Sequence, residues 1–119
     1  MTTSSNISQP LPASAMVGVI GAGTMGQGIA ALALRAGHPV YLHDTRSEAL
    51  DGAAQAIATS LGRWVKRGEI TIADQAACVE RLQLVRQIET LAGCALVVEA
   101  IIEDLAIKKA LMARVDAVR

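Results

Sequence analysis

Three glycines at fixed spacing are the residues of this sequence whose chemistry is most direct. Gly21, Gly23 and Gly26 form the pattern G-x-G-x-x-G, after an apolar run at 16–20 and before a segment with helical spacing. In this pattern the first glycine permits a tight turn, the second lets a pyrophosphate approach the backbone, and the third lets helix and strand pack closely. The N–H groups that begin the helix then face an anion. The motif indicates a phosphate-binding turn.

An acidic residue after the next predicted strand supplies a second part of the same site. Residues 39–43 predict a strand, and Asp44 follows it, 18 residues beyond Gly26. A carboxylate about 20 residues past the third glycine hydrogen-bonds the adenosine ribose of NAD and repels a 2′-phosphate. Arg46 is able to pair with a 2′-phosphate, which leaves NADP open. The sequence favours a turn that binds NAD over a glycine-rich turn that binds no ligand.

Composition and charge exclude several classes of function. At 119 residues the chain is one domain, and its eleven basic and eleven acidic residues cancel, which argues against nucleic acid or an anionic membrane as partner. No apolar run is long enough to span a membrane. Residues 1–14 are expected to form a disordered leader without the features of a secretion signal. Cys78 and Cys94 lack metal or redox spacing, so we expect buried thiols, no metal site and a cytoplasmic protein.

Predicted strands and helices alternate along the rest of the chain. Strands are predicted at 16–20, 39–43, 83–85 and 95–100, with a brief helical turn near 89–91. The first two predicted helices run from Thr24 to about Arg35 and from a cap at Ser47 to about Arg67. A third begins at a capping box formed by Thr71 and Asp74, and a fourth begins at about Glu103. Their apolar stripes are Met25, Ile29, Leu32 and Ala36, then Leu50, Ala54, Ile57, Leu61 and Val65, then Ala77, Val79 and Leu82.

This alternation predicts an α/β fold with a parallel sheet and right-handed crossovers. A Rossmann-type doubly wound parallel sheet has strand order 3-2-1-4 in such a partial unit, which places strand 95–100 beside strand 16–20. Ligands bind outside the carboxyl ends of the strands at this switch point. We therefore expect residues 21–26 and 99–104 to face each other across one cleft.

Two segments together resemble the bacterial L-3-hydroxyacyl-CoA dehydrogenase family. The first is residues 17–30, followed by Ala36-Gly37-His38 and Asp44, which is similar to the cofactor end of that family. The second is residues 96–104 with Lys108, which is similar to the family's second signature. The first motif is shared with many dehydrogenases, whereas Val-Val-Glu-Ala-Ile-x-Glu is much more specific. The resemblance covers nearly the whole chain after the leader.

The resemblance implies a reaction and a set of site residues. The family oxidises the 3-hydroxyl of an acyl-CoA with NAD, giving 3-oxoacyl-CoA and NADH. The implied cofactor contacts are Gly21, Ala22, Gly23, Thr24, Met25, Gly26, Asp44, Ala100, Glu103 and Lys108. The positions implied to contact coenzyme A are Ser60, Lys66 and Arg67. Two of these, Ser60 and Arg67, are seven apart and share a helix face, although a solvated basic helix end has the same pattern.

The catalytic His of the family, paired with a Glu, falls beyond the end of this sequence, and neither His38 nor His43 is expected to replace it. Residues 15–119 are therefore expected to be an incomplete NAD-binding domain, inactive alone and without a catalytic residue. Its strand 95–100 is expected to leave an exposed edge that promotes a homo-oligomer. The alternatives are the cofactor domain of a 3-hydroxyacid or 6-phosphogluconate-type dehydrogenase, and a non-catalytic NAD-binding module.

Overall fold

A computed structural model describes residues 2–3 and 15–100 of the chain. The strands are β1 (Thr2–Thr3), β2 (Val17–Ile20), β3 (Val40–His43), β4 (Leu82–Val85) and β5 (Leu96–Glu99). The helices are α1 (Thr24–Arg35), α2 (Ser47–Lys66) and α3 (Ile72–Arg81), with a 3-10 helix at Ile88–Gly93. The final helix predicted from Glu103 lies outside the described residues.

The strands form one sheet in the order β1-β5-β2-β3-β4, in which β2 to β5 are parallel. Counted in chain order, these four parallel strands follow the 3-2-1-4 order of a doubly wound sheet, which confirms the prediction. Ile20 lies opposite His43 on one side and Glu99 on the other. The carboxyl ends of the three central strands therefore meet at one edge of the sheet.

The short strand β1 differs from the sequence expectation. Thr2 and Thr3 were assigned to a disordered leader, yet they pair antiparallel with Glu99 and Val98 of β5. The edge of β5 expected to be exposed is thus paired at these two residues. This pairing is not readable from the sequence, because an edge strand accepts any extended segment through its backbone. Two residues are also too few to show the alternation of apolar and polar side chains that marks a strand. Residues 1 and 4–14 lie outside the described part of the chain.

Met25 and Ile29 pack partly buried against the core as predicted, but the fully buried stripe of the first helix is a different one. Its buried residues are Gly26, Ala30, Ala31 and Leu34, whereas Leu32 is 61% exposed. The prediction for Leu32 and Ala36 was wrong, since both residues are exposed. The contact of Gly26 with the end of β2 fixes the rotation of α1, and small alanines then face α2 and the sheet.

The other two helices complete the layer on this side of the sheet. The buried residues of α2 are Leu50, Ala53, Ile57 and Leu61, close to the predicted stripe. In α3 the buried residue is Cys78, while Val79 is exposed, so the prediction for Val79 was wrong. The Cys78 thiol donates to the carbonyl of Leu34 at 3.3 Å, and this contact orients α3 against α1.

The helix ends agree with the sequence except at Ser47. The predicted capping box is present: Asp74 N–H donates to Thr71 Oγ1 at 3.0 Å, and Thr71 N–H donates to the Asp74 carboxylate at 2.9 Å. Helix α2 instead has Arg46 as its N-cap residue, without a side-chain cap. The reason is that Asp44 accepts the Arg46 N–H at 2.9 Å, so the acid, rather than Ser47, organises this turn.

Candidate functional site

The turn between β2 and α1 has the steric requirements that its glycines suggest. Gly21 has φ of 104°, a region that only glycine enters readily, and its N–H donates to the carbonyl of His43 at 2.8 Å. A Cβ at Gly26 would lie 1.7 Å from the carbonyl oxygen of Gly21. The turning role of Gly21 and the packing role of Gly26 are therefore confirmed, and α1 begins directly against the end of β2.

The N-terminus of α1 is suited to an anion. Its N-cap residue, Gly23, makes no side-chain cap, and the first turn contains no acidic residue. The other helices of the described residues each have an acidic residue in the first turn. These are Glu48 in α2, Asp74 of the capping box in α3, and Glu89 in the 3-10 helix. The first ladder bond of α1 runs from Gln27 N–H to the Gly23 carbonyl. The N–H groups of residues 24–26 precede it and face outward from the helix end.

The carboxylate of Asp44 joins this turn to the next strand. Asp44 is 7% exposed, and its Oδ2 accepts the Ala22 N–H at 3.0 Å. The guanidinium of Arg46 donates from Nε to Oδ1 and from Nη2 to Oδ2, both at 3.1 Å. The Arg46 side chain holds the pKa of the Asp44 carboxyl well below its usual range; the backbone N–H groups of Arg46 and Ala22 add to this, and burial opposes it. The carboxylate is therefore ionised at neutral pH, beside the glycine turn.

The end of β5 lies beside the same turn, as predicted. Ala100 is buried and its N–H donates to the carbonyl of Ile20 at 2.7 Å. Glu99 lies opposite Ile20 in the register and is exposed. Residues 99–100 therefore lie beside the strand end that leads into the glycine turn, whereas Glu103 and Lys108 lie outside the described residues.

One supporting residue of the turn was not predicted. The side-chain amide of Gln27 donates to the carbonyl of Ala22 at 3.1 Å, which ties α1 back to the glycine turn. Its only signal in sequence is its place directly after the third glycine.

His43 is buried and, within the described part of the chain, its Nδ1 has no partner. His38 is at the amino end of β3, where its Nδ1 lies 2.9 Å from the Ala15 carbonyl.

The residues implied to contact coenzyme A lie far from the glycine turn. Helix α2 has 20 residues and is therefore about 30 Å long, whereas the strands of four residues span about 13 Å. Ser60 and Lys66 lie in its second half and Arg67 is its C-cap residue, toward the opposite edge of the sheet. Arg67 is exposed and lies 3.8 Å from Glu69, which also accepts from Arg35 at 2.7 Å. The structure therefore does not bring these three residues to the dinucleotide turn.

A cavity of about 430 Å³ lies at that opposite edge, between the end of α1 and the α2–α3 turn. Its lining includes Arg35, Glu69, Cys78 and Arg81 and none of the glycine-turn residues. Burial raises the pKa of the Cys78 thiol, which is consistent with a structural thiol. In the described residues no group of His, Cys, Asp and Glu is arranged to hold a metal ion.

These features together define a class. A parallel doubly wound sheet, a glycine turn, an uncapped helix N-terminus and an ionised acid at the adjacent strand end constitute a Rossmann-type dinucleotide-binding domain. Residues 16–119 match the family described as 3-hydroxyacyl-CoA dehydrogenase, NAD binding domain, and the chain belongs to this family. Its cofactor is NAD, and the glycine turn and Asp44 fit the pyrophosphate and ribose of that group.

Similar proteins agree with this assignment. The chain is 45% identical over 98 residues to the 3-hydroxyadipyl-CoA dehydrogenase of Escherichia coli K12, covering 82% of this chain and 21% of the relative. It is 42% identical over 91 residues to a probable 3-hydroxybutyryl-CoA dehydrogenase of Deinococcus radiodurans, covering 76% and 32%. The crystal structure of the E. coli K12 3-hydroxybutyryl-CoA dehydrogenase matches with a TM-score of 0.71 at 43% identity, over 88% of this chain and 22% of that one.

The chain thus spans about a fifth to a third of the length of these curated relatives. The comparisons support the 3-hydroxyacyl-CoA dehydrogenase family and do not favour the 3-hydroxyacid or 6-phosphogluconate alternative. Within residues 2–3 and 15–100, none of the helices has the length and apolar character that crossing a membrane requires.

We predict that Gly26→Ala destabilises the fold by about 3 kcal/mol, the upper end for overpacking, because the new methyl meets backbone that cannot move aside. Gly28→Ala is the matched control in the same helix, since beyond the neighbouring helix backbone the added Cβ meets nothing within 4 Å among the described residues. It should stabilise by about 0.5–1 kcal/mol through helix propensity. Urea unfolding followed by Trp64 fluorescence measures both, and equal free energies of unfolding for the two variants would contradict the contact.

We predict that Asp44→Asn lowers stability in a pH-dependent way. The folded-state pKa of Asp44 is depressed, so its contribution is complete above the unfolded value of about 3.9 and is lost as pH falls below it. The gap in unfolding free energy between wild type and variant should therefore be largest at pH 5–7 and shrink below about pH 4. Asp51→Asn, at an exposed position on α2, is the control. A gap that is constant with pH would exclude the charge of Asp44 as its cause.

Proposed function

We propose that this chain is the NAD-binding part of an oxidoreductase that converts L-3-hydroxyacyl-CoA to 3-oxoacyl-CoA. The observation that carries the proposal is the 3.0 Å hydrogen bond from Ala22 N–H to the Asp44 carboxylate. It places the ionised acid beside the anion-binding helix end, which is the arrangement of a dinucleotide's ribose and pyrophosphate sites in this fold. NAD, when bound, accepts the hydride from the substrate. The relatives named 3-hydroxyadipyl-CoA and 3-hydroxybutyryl-CoA dehydrogenase support the substrate class.

Each residue near the glycine turn has a distinct proposed role. The N–H groups of Thr24, Met25 and Gly26 bind the pyrophosphate, because they precede the helical ladder. Gly21, Ala22 and Gly23 keep side chains away from it. Asp44 accepts the ribose hydroxyls. Ala100, Glu103 and Lys108 are proposed to contact the nicotinamide half of the cofactor.

The acyl-CoA contacts are proposed on the second half of α2. Ser60 and Arg67 share one face, and the cations of Lys66 and Arg67 suit the phosphates of coenzyme A. Their distance from the glycine turn fits a long substrate whose thioester end approaches the nicotinamide while its nucleotide end lies elsewhere. Glu69 lies 3.8 Å from Arg67 and competes with a phosphate for its guanidinium.

Three further properties of the protein are part of the proposal. Residues 15–119 act as one NAD-binding domain that lacks the catalytic His and has no turnover alone. The free thiols Cys78 and Cys94 are consistent with a reducing, cytoplasmic location. A homo-oligomer remains the expectation, and β4, the outer strand of the described sheet, offers a backbone edge for it.

We predict that the purified chain binds NADH more tightly than NADPH and that Asp44→Ala reduces this preference. Loss of charged hydrogen bonds to the ribose should weaken NADH by about tenfold or more, while NADPH loses a repulsive contact. Isothermal titration calorimetry with both cofactors measures the effect, and Asp51→Ala is the exposed control. Equal affinities of the wild type for the two cofactors would contradict the assignment of NAD.

The reaction itself is tested with acetoacetyl-CoA. A gene product that contains this domain together with the catalytic His of the family should oxidise NADH only when acetoacetyl-CoA is present, whereas the 119-residue chain should not. Absorbance at 340 nm follows the reaction. An intact enzyme that binds NADH but leaves acetoacetyl-CoA unreduced would overturn the substrate class and leave the cofactor assignment standing.

A further inference from the structure

The Asp44 carboxylate already has a full set of hydrogen-bond donors. Oδ1 accepts from the Arg46 backbone N–H and from Arg46 Nε, at 2.9 and 3.1 Å. Oδ2 accepts from the Ala22 N–H and from Arg46 Nη2, at 3.0 and 3.1 Å. A carboxylate has about four lone-pair positions, and here each oxygen accepts two bonds. Two ribose hydroxyls therefore need to displace existing donors.

The donors differ in how easily they leave. The Ala22 N–H belongs to the glycine turn, and the Arg46 N–H belongs to the residue that begins α2, so neither moves without breaking local structure. The guanidinium of Arg46 is different, because its side chain is 52% exposed and a rotamer change into solvent removes it. The ribose therefore competes with the Arg46 side chain.

We propose that Arg46 is a specificity-determining residue, whose guanidinium occupies the positions on Asp44 that the ribose hydroxyls of NAD require and remains within reach of a 2′-phosphate. The inference rests on the proposed NAD function and deepens it. With NAD, binding replaces an ion pair by two hydroxyl bonds. With NADP, the same guanidinium exchanges Asp44 for the 2′-phosphate and offsets part of the repulsion. Arg46 thus lowers the affinity for NAD and reduces the preference of the site for NAD over NADP.

The size of the effect follows from the exposure of the pair. A fork-shaped Arg–carboxylate pair with one exposed partner has a modest strength in water. Removing it with Arg46→Gln should tighten NADH binding about two- to fivefold. NADPH should bind about two- to fivefold more weakly, since its 2′-phosphate then meets Asp44 without a neighbouring cation. The ratio of the two dissociation constants should therefore widen by about fivefold or more.

The matched control is Arg86, which lies at the same edge of the sheet. Its Nη2 donates to the carbonyl of Thr45 at 3.4 Å, and within the described residues it forms no ion pair with Asp44. Arg86→Gln removes the same charge from a neighbouring position, so it should change the affinities for NADH and NADPH in the same direction. A change in opposite directions is expected only of Arg46→Gln.

The experiment is calorimetry of NADH and NADPH on wild type, Arg46→Gln, Arg46→Lys and Arg86→Gln, with thermal unfolding as the check on folding. Adenosine 5′-monophosphate and adenosine 2′,5′-bisphosphate serve as probes of the ribose site alone. Arg46→Lys retains the charge without the fork, so its NADH affinity should fall between those of wild type and Arg46→Gln. If Arg46→Gln does not fold, this comparison decides the question.

The outcomes separate the two levels of the proposal. Tighter NADH and weaker NADPH for Arg46→Gln support the competition. Unchanged NADH affinity, or weaker binding of both cofactors, overturns the role of Arg46 while the NAD assignment stands. A wild-type chain that binds neither cofactor overturns the proposed function and this inference together.

Discussion

The hydrogen bond between Ala22 N–H and the Asp44 carboxylate is the contact on which the arrangement of the site depends. It joins the turn between β2 and α1 to the end of β3, 22 residues later in the chain. Because the acid is buried and ionised, it is stable only while these donors surround it. The same contact keeps a negative charge close to the positive end of α1. Turn, strand end and helix are thus held in one geometry before any ligand binds.

Close backbone approach is the second constraint, and it explains the character of the core. Gly26 brings α1 against β2 so tightly that a methyl group has no room. A helix held this close requires small residues along its inner face, and Ala30 and Ala31 meet that need. Bulk is supplied by leucines such as Leu34 at the end of α1, Leu42 of β3 and Leu61 of α2.

Much of the fold and of the dinucleotide turn could be predicted, because the relevant signals are local. The glycines, the register of Asp44 and the Thr71–Asp74 capping box each depend on residues close in sequence. The burial of Leu32 was mispredicted because helix rotation is set by the contact of Gly26 with another element. The cap at Ser47 was mispredicted because Asp44 competes for the same turn. The saturation of Asp44 by the Arg46 side chain depends on rotamers, which sequence patterns do not encode.

The pairing of Thr2–Thr3 with β5 has a consequence for the assembly of the sheet. Backbone N–H and C=O groups of Val98 and Glu99 that face outward are already used by this antiparallel partner. A hydrogen-bonding position on a strand edge holds one neighbour at a time. Any other strand that joins the sheet on this side, from the same chain or from a second molecule, must first release the two threonines. Extension of the sheet at this edge and pairing of β5 with Thr2–Thr3 are therefore mutually exclusive.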